Sequence, residues 1–148
     1  MLPALGRVAV VALSLGAVGA GAEAAEEAAA EPFAVEYYYK VEWGHLSEWI
    51  ELYRRNHYPI LERLQEQGEI VEMRAVFPRY HAGEASRWDF RFTIVWKDAL
   101  AAHRSTDPAL VRELYPDQES FEKEEQRRFQ LLLEHMDVPI DEEDLASW

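Results

Sequence analysis

Between Phe33 and Trp43 the chain alternates. Val35, Tyr37, Tyr39, Val41 and Trp43 share one parity, and Glu36, Tyr38, Lys40 and Glu42 the other. A period of two with unlike faces predicts a strand. Leu46, Trp49, Ile50, Tyr53, His57, Ile60, Leu61 and Leu64 then recur at steps of three and four, which lines one side of a helix. Gly68 ends that helix. Pro59 lies inside it, has no N–H and clashes with the carbonyl of Arg55, so a kink is expected near Asn56 and His57. A second strand, Ile70 to His81, carries Val71, Met73, Ala75 and Phe77 on its apolar parity, and Pro78 marks it as an edge strand or the site of a bulge. A third, Arg87 to Lys97, carries Trp88, Phe90, Phe92, Ile94 and Trp96. Matching the two apolar faces sets Phe77 opposite Phe90 or Phe92, because a slip of one residue turns a strand over. Asp98 caps a short helix to Arg104, Asp107-Pro108 restarts helix as far as Tyr115-Pro116, and Asp117 caps a last helix expected to reach about Met136. Its core face is Phe121, Phe129, Leu132, Leu133 and Met136. Val138 to Ile140 reads as a very short closing strand, and residues 141–148 as a flexible tail.

The order is β, α, β, β, broken α and a final β. It predicts an α+β, ferredoxin-like βαββα(β) domain over residues 33–140, with helices on one face of an antiparallel sheet. The other sheet face would carry Tyr38, Lys40, Ile70, Arg74, Val76, Arg91, Thr93 and Val95, too apolar for a plainly solvated surface and too charged for a core. A second sheet would suit it, so a homodimer is expected.

The region before Phe33 changes the picture of where the protein works. A short start with Arg7, an apolar Gly-containing run from Val8 to Ala20 and the small-x-small sites Ala20-Gly-Ala22 and Ala22-Glu-Ala24 form a secretory signal peptide, residues 1–22. Residues 23–32 read as an Ala/Glu-rich linker. The apolar run is shorter than the roughly 20 residues that span a bilayer, so no stable membrane insertion is expected after cleavage. The expected location is periplasmic or secreted. Cysteine is absent, which removes disulfides, thiol chemistry and thiolate metal sites. A formal net charge of −13 repels phosphate backbones, so nucleic acid is not an expected partner.

The layout resembles the dimeric α/β-barrel superfamily, in which two ferredoxin-like sheets face each other and whose members include small monooxygenases, EthD-like proteins and haem- or polyketide-handling enzymes. The resemblance covers Val35 to Ile140. More narrowly, Asn56-His-Tyr-Pro59, Arg79-Tyr-His81, Arg87-Trp-Asp89, Tyr115-Pro-Asp117 and Asp137-Val-Pro-Ile140 are similar to a group of uncharacterised exported bacterial proteins. The superfamily implies the fold and the dimer. Its chemistry varies between members, so it implies no single reaction.

No serine elbow, phosphate loop, zincin helix or dinucleotide fingerprint is present, and neither cofactor nor metal is expected. The five histidines remain. His57 lies on the apolar stripe of the first helix, where it reads as a proton donor, as a haem ligand, or as a core histidine bonded to a carbonyl. Arg79 and His81 continue the parity of Phe77 and so should point between sheet and helices beside Trp88. There a cation and an imidazole could hold a carboxylate or enolate. The competing reading is an Arg79–Asp89 ion pair that braces the hairpin. The candidate ligand site is therefore His57, Arg79, His81, Trp88 and Asp89, with Asp89 orienting a basic neighbour. A metal would need His45, His81 and His135 to converge, and their spacing gives no motif. Three functions follow: a small-molecule-binding protein or cofactor-independent enzyme, a non-catalytic structural or interaction domain, and haem binding or degradation.

Overall fold

The computed structural model describes residues 31–148 apart from His81. The signal peptide and most of the linker lie outside the described residues. Strand β1 (Phe33–Val41) leads through a tight turn, with Gly44 at φ +85°, into helix α1 (Leu46–Leu52), a π-turn (Tyr53–His57) and helix α2 (Tyr58–Glu66). Strands β2 (Ile70–Val76) and β3 (Phe90–Trp96) follow, then α3 (Ala99–Ala102), α4 (Pro108–Leu114), α5 (Gln118–Gln130) and β4 (Leu132–Ile140). All three strand pairings are antiparallel and the order is β2-β3-β1-β4. Connectivity and order together make the chain a ferredoxin-like α+β protein.

The kink takes a specific form. Residues 53–57 are wound as a π-turn in which the Tyr58 N–H bonds the Tyr53 carbonyl, and Pro59 starts α2 at a position where its missing N–H costs nothing. The Arg55 carbonyl, deprived of its helical donor by Pro59, accepts the Tyr115 hydroxyl at 3.3 Å instead. Asn56, 2 % exposed, donates to Glu124 at 2.8 Å, and Arg55 grips the same carboxylate through two bonds of 3.0 Å. The π-turn is thus latched onto α5.

Val35, Tyr39 and Val41 of β1 and Phe90, Phe92, Ile94 and Trp96 of β3 form the inner sheet face, packed on Trp49, Leu52, Tyr53 and Leu61. Ala75 pairs with Phe92 and Val76 with Arg91, so the register continues to Phe77 opposite Phe90, with ring centroids 5.0 Å apart. Asp98, Asp107 and Asp117 cap their helices by accepting from the N–H groups of Ala101, Ala109 and Ser120.

Two expectations need correction. The last helix stops at Gln130, and Leu132, Leu133 and Met136 belong to β4, which runs the length of β1. Ile70 points into the core and not outward: the register shifts between Ile70 and Glu72, so the bulge at Val71 changes the parity. Beyond Ile140, Glu142 accepts a hydrogen bond from Arg74 at 2.9 Å.

Candidate functional site

Beneath the helices, against the inner face of β1 and β3, lies a cavity of about 450 Å³. Its walls are apolar along Ile60, Leu61, Leu64, Ile94 and Trp96. One polar end is formed by Tyr37, Tyr39, Tyr53, His57, Arg128 and His135, and a second polar stretch of the lining by Gln67, Glu69, Arg104, Ser105, Thr106 and Asp107. Each member is placed by a regular element. Tyr37 and Tyr39 share the inward parity of β1, and His135 stands directly opposite Tyr39 on β4. Tyr53 opens the π-turn and His57 closes it, so the extra residue of that turn sets the angle at which the imidazole enters the cavity. Arg128 comes from the last turn of α5.

The aromatic groups form a continuous chain. Ring centroids lie 5.0 Å apart for His57 and Tyr53, 5.9 Å for Tyr53 and Tyr39, and 4.4 Å for Tyr39 and His135, the last pair stacked with planes only 16° apart. The Arg128 side chain is 4 % exposed, and its Nε and Nη2 donate to Glu125 at 2.8 and 2.7 Å. The guanidinium carbon lies 5.9 Å from the Tyr53 ring and 4.6 Å from that of Phe129. The buried Tyr53 hydroxyl neighbours that of Tyr39, and the buried Trp96 indole N–H neighbours the hydroxyl of Tyr37.

Burial, with the nearby charges of Arg128 and of His135 when protonated, pulls the His57 imidazole down to about 3, so it is neutral at pH 7. His135 is also lowered, mainly by desolvation, with Asp137 opposing that shift. Desolvation holds the Tyr39 and Tyr53 phenols in their protonated form. The polar end therefore combines neutral imidazoles and protonated phenols with one guanidinium whose charge Glu125 already balances. Such a set suits an oxygen that gains partial negative charge, such as a carbonyl becoming an enolate.

Of the five residues the sequence singles out, the four described ones do not stand together. His57 lines the cavity. Arg79 is exposed outside it, because β2 ends at Val76, before Pro78, and its parity does not carry through the following turn. His81 lies outside the described residues. Trp88 precedes β3, and its ring packs edge-on against Tyr38 at 6.1 Å with Arg91 over it, on the opposite face of the sheet. Asp89 orients a basic neighbour, but that neighbour is Arg87: the two pair directly, and Asp89 also accepts the Val41 N–H at 2.8 Å. Arg87, with its side chain 1 % exposed, donates to the Val41 carbonyl and stacks under Trp43 at 4.1 Å. This cluster braces the hairpin; the Arg79–Asp89 pair does not form.

The sequence leaves Tyr37, Tyr39, Tyr53 and Arg128 out of the candidate site and offers His135 only as one of three scattered histidines. The tyrosines carry a signal, since they share an inward parity or helical stripe with His57. Arg128, and the place of His135 beside Tyr39, carry none, because helical spacing continues through the start of β4. Among the described residues no group of three His, Asp or Glu side chains could hold a metal ion. His45 bonds Glu48 and His135 bonds Asp137.

Neither a family model nor a curated protein matches the chain. Solved structures of low identity are similar in fold. An EthD family protein from Bacillus halodurans is 10 % identical, with 76 % of this chain and 100 % of that one covered and a TM-score of 0.49. A dimeric ferredoxin-like protein from an uncultured marine organism is 8 % identical, with 77 % and 91 % covered and a TM-score of 0.49. SnoaB, a cofactor-independent oxygenase from Streptomyces nogalater, is 13 % identical, with 78 % and 96 % covered and a TM-score of 0.46.

Proposed function

We propose that this is an exported small-molecule-binding protein or cofactor-independent enzyme, working as a homodimer, whose ligand lies in the cavity between sheet and helices. One observation carries the reading: the buried phenols of Tyr39 and Tyr53 sit beside His57 and Arg128 at one end of a cavity large enough for a ring-containing molecule. A domain that served only as a scaffold would gain stability by filling this space. The ligand class is a planar, mainly apolar molecule with an oxygen function at one end.

The dimer is supported by the outer face of the sheet. The residues of β4 paired with Lys40, Tyr38, Glu36 and Ala34 share that face, which adds Met136, Val138 and Ile140 to Tyr38, Val76 and Val95. Met136 and Val138 are 44 % and 39 % exposed. Covering such a strip against its symmetry mate removes apolar area worth about 25 cal/mol per Å². Export is supported by the basic, apolar and small-residue regions before Glu23; the mature chain should begin at Glu23 or Ala25, as N-terminal sequencing of secreted protein would show.

The test of the binding reading is a native mass spectrum of protein purified from its own export compartment, beside the variant Leu64→Trp, which fills the cavity from a half-buried wall position. A small-molecule adduct on the wild type that the variant loses supports the reading. An adduct of equal occupancy on both overturns it.

A further inference from the structure

His135 and Asp137 stand two apart on β4 and face the same side of the sheet as Tyr39 and Tyr37, their partners across the ladder. His135 Nε2 lies 3.0 Å from Asp137 Oδ1. A carboxylate in that place holds the proton on Nε2 and leaves Nδ1 with its lone pair. The ring is fixed by stacking on Tyr39 at 4.4 Å and, more distantly, on Tyr37 at 6.4 Å. It lines the cavity together with Tyr53 and Arg128. The arrangement has the three parts of a proton-transfer site: an imidazole held by a carboxylate, the two side chains 31 % and 59 % exposed, a cavity with apolar stretches of wall, and oxygen-directed donors in the same polar end.

We propose that His135, oriented by Asp137, is the proton acceptor of the cavity, and that its substrates are planar carbon acids such as enolisable carbonyl compounds. This rests on the reading of the cavity as the ligand site. Nδ1 takes a proton from carbon, and the electrons of the broken C–H bond move onto the ligand as its oxygen becomes an oxyanion. The Tyr53 hydroxyl, next to that of Tyr39, and Arg128 Nη1, the guanidinium nitrogen that Glu125 does not engage, receive that oxygen. The imidazolium is held by Asp137 until it returns its proton to water or to the product. His135 is the catalytic residue and Asp137 a positioning residue. The groups that bear on the titration of His135 are Asp137 on its own strand, Arg128 on α5, His57 on the π-turn, and Tyr37 and Tyr39 on β1.

The probe is 5-nitrobenzisoxazole, a planar bicycle small enough for the cavity. A base removes its ring C–H proton, the C–H pair becomes part of a nitrile, and the N–O bond breaks to release a coloured nitrophenolate, with no oxidant or reductant. The wild type should turn it over faster than free imidazole at equal concentration. His135→Ala should lower kcat by about a hundredfold or more, the usual contribution of a placed base. Asp137→Asn should lower kcat about tenfold at unchanged KM and displace the midpoint of the rate against pH, which a merely structural residue would not do. A wild-type rate no better than free imidazole overturns the proposal, as does full activity in His135→Ala. Leu64→Trp separates the two readings. If it abolishes turnover while His135→Ala does not, the cavity binds the probe and the dyad is wrong. If neither variant loses activity, both readings fall.

Discussion

Removing the guanidinium of Arg87 strands the carboxylate of Asp89, whose side chain is 13 % exposed, beside a Val41 carbonyl that has lost its donor. Breaking a buried pair in this way costs about 3 kcal/mol, here at the low end because Asp89 keeps the Val41 N–H. Arg87→Ala should therefore lower the denaturation midpoint strongly in a urea titration, and Arg79→Ala, at an exposed position, should leave it within about 0.5 kcal/mol. The residue-scale electrostatics also set the response to acid. His57 has a folded value near 3, below its unfolded value of about 6.5, so the unfolded chain binds more protons between those limits. The stability it contributes is complete above pH 6.5 and is lost as pH falls towards 3. The slope is at most about 1.4 kcal/mol per pH unit. Glu48 and Glu84 are both lowered to about 2 by bonds to arginine first, so they add a loss of the same sign below pH 4.5. Thermal midpoints should fall between pH 7 and pH 5 in the wild type and fall less in His57→Phe. An unchanged slope in that variant would show that His57 is not the group responsible.

At the scale of elements, Pro59 was the informative residue: an imino acid within an apolar stripe announces a break, and the structure resolves it as a π-turn held by Tyr115, Asn56 and Glu124. Asn56→Ala removes a bond to a charged group and should cost about 1.5 to 3 kcal/mol, read as a lower midpoint at unchanged m-value. The strand faces of β1 and β3 and all three aspartate caps were legible because each is written in local periodicity or local hydrogen-bonding chemistry. The boundary between α5 and β4 was not. Phe129, Leu132, Leu133 and Met136 satisfy helical spacing, yet the segment lies beside β1, and ladder pairing overrides the local pattern. That boundary hides two members of the candidate site, since it places His135 on a helix and leaves Arg128 without a cavity to face. Arg79 and Trp88 failed for a related reason. Parity was carried past the ends of strands, where nothing holds the alternation.

The whole molecule presents two unlike faces, one closed by helices over a cavity and the other an open sheet crossed by the last residues. Glu142, just beyond β4 at one edge, pairs with Arg74 of β2 at the other, so the chain after Ile140 passes over the outer face. Removing residues 141–148 should leave the fold intact and change self-association, which light scattering at micromolar concentration measures directly. The full chain should scatter as a dimer, and a monomeric mass would contradict the use of this face. The central claim is that ligands bind in the cavity under the helices and not at the Arg79 hairpin. Titration calorimetry with 4-nitrophenol, a planar ring with one acidic oxygen, tests it most directly on the wild type, Arg79→Ala and Leu64→Trp. Affinity should be equal for the first two and at least tenfold weaker for Leu64→Trp. Undiminished binding in Leu64→Trp, or its loss in Arg79→Ala, would contradict it.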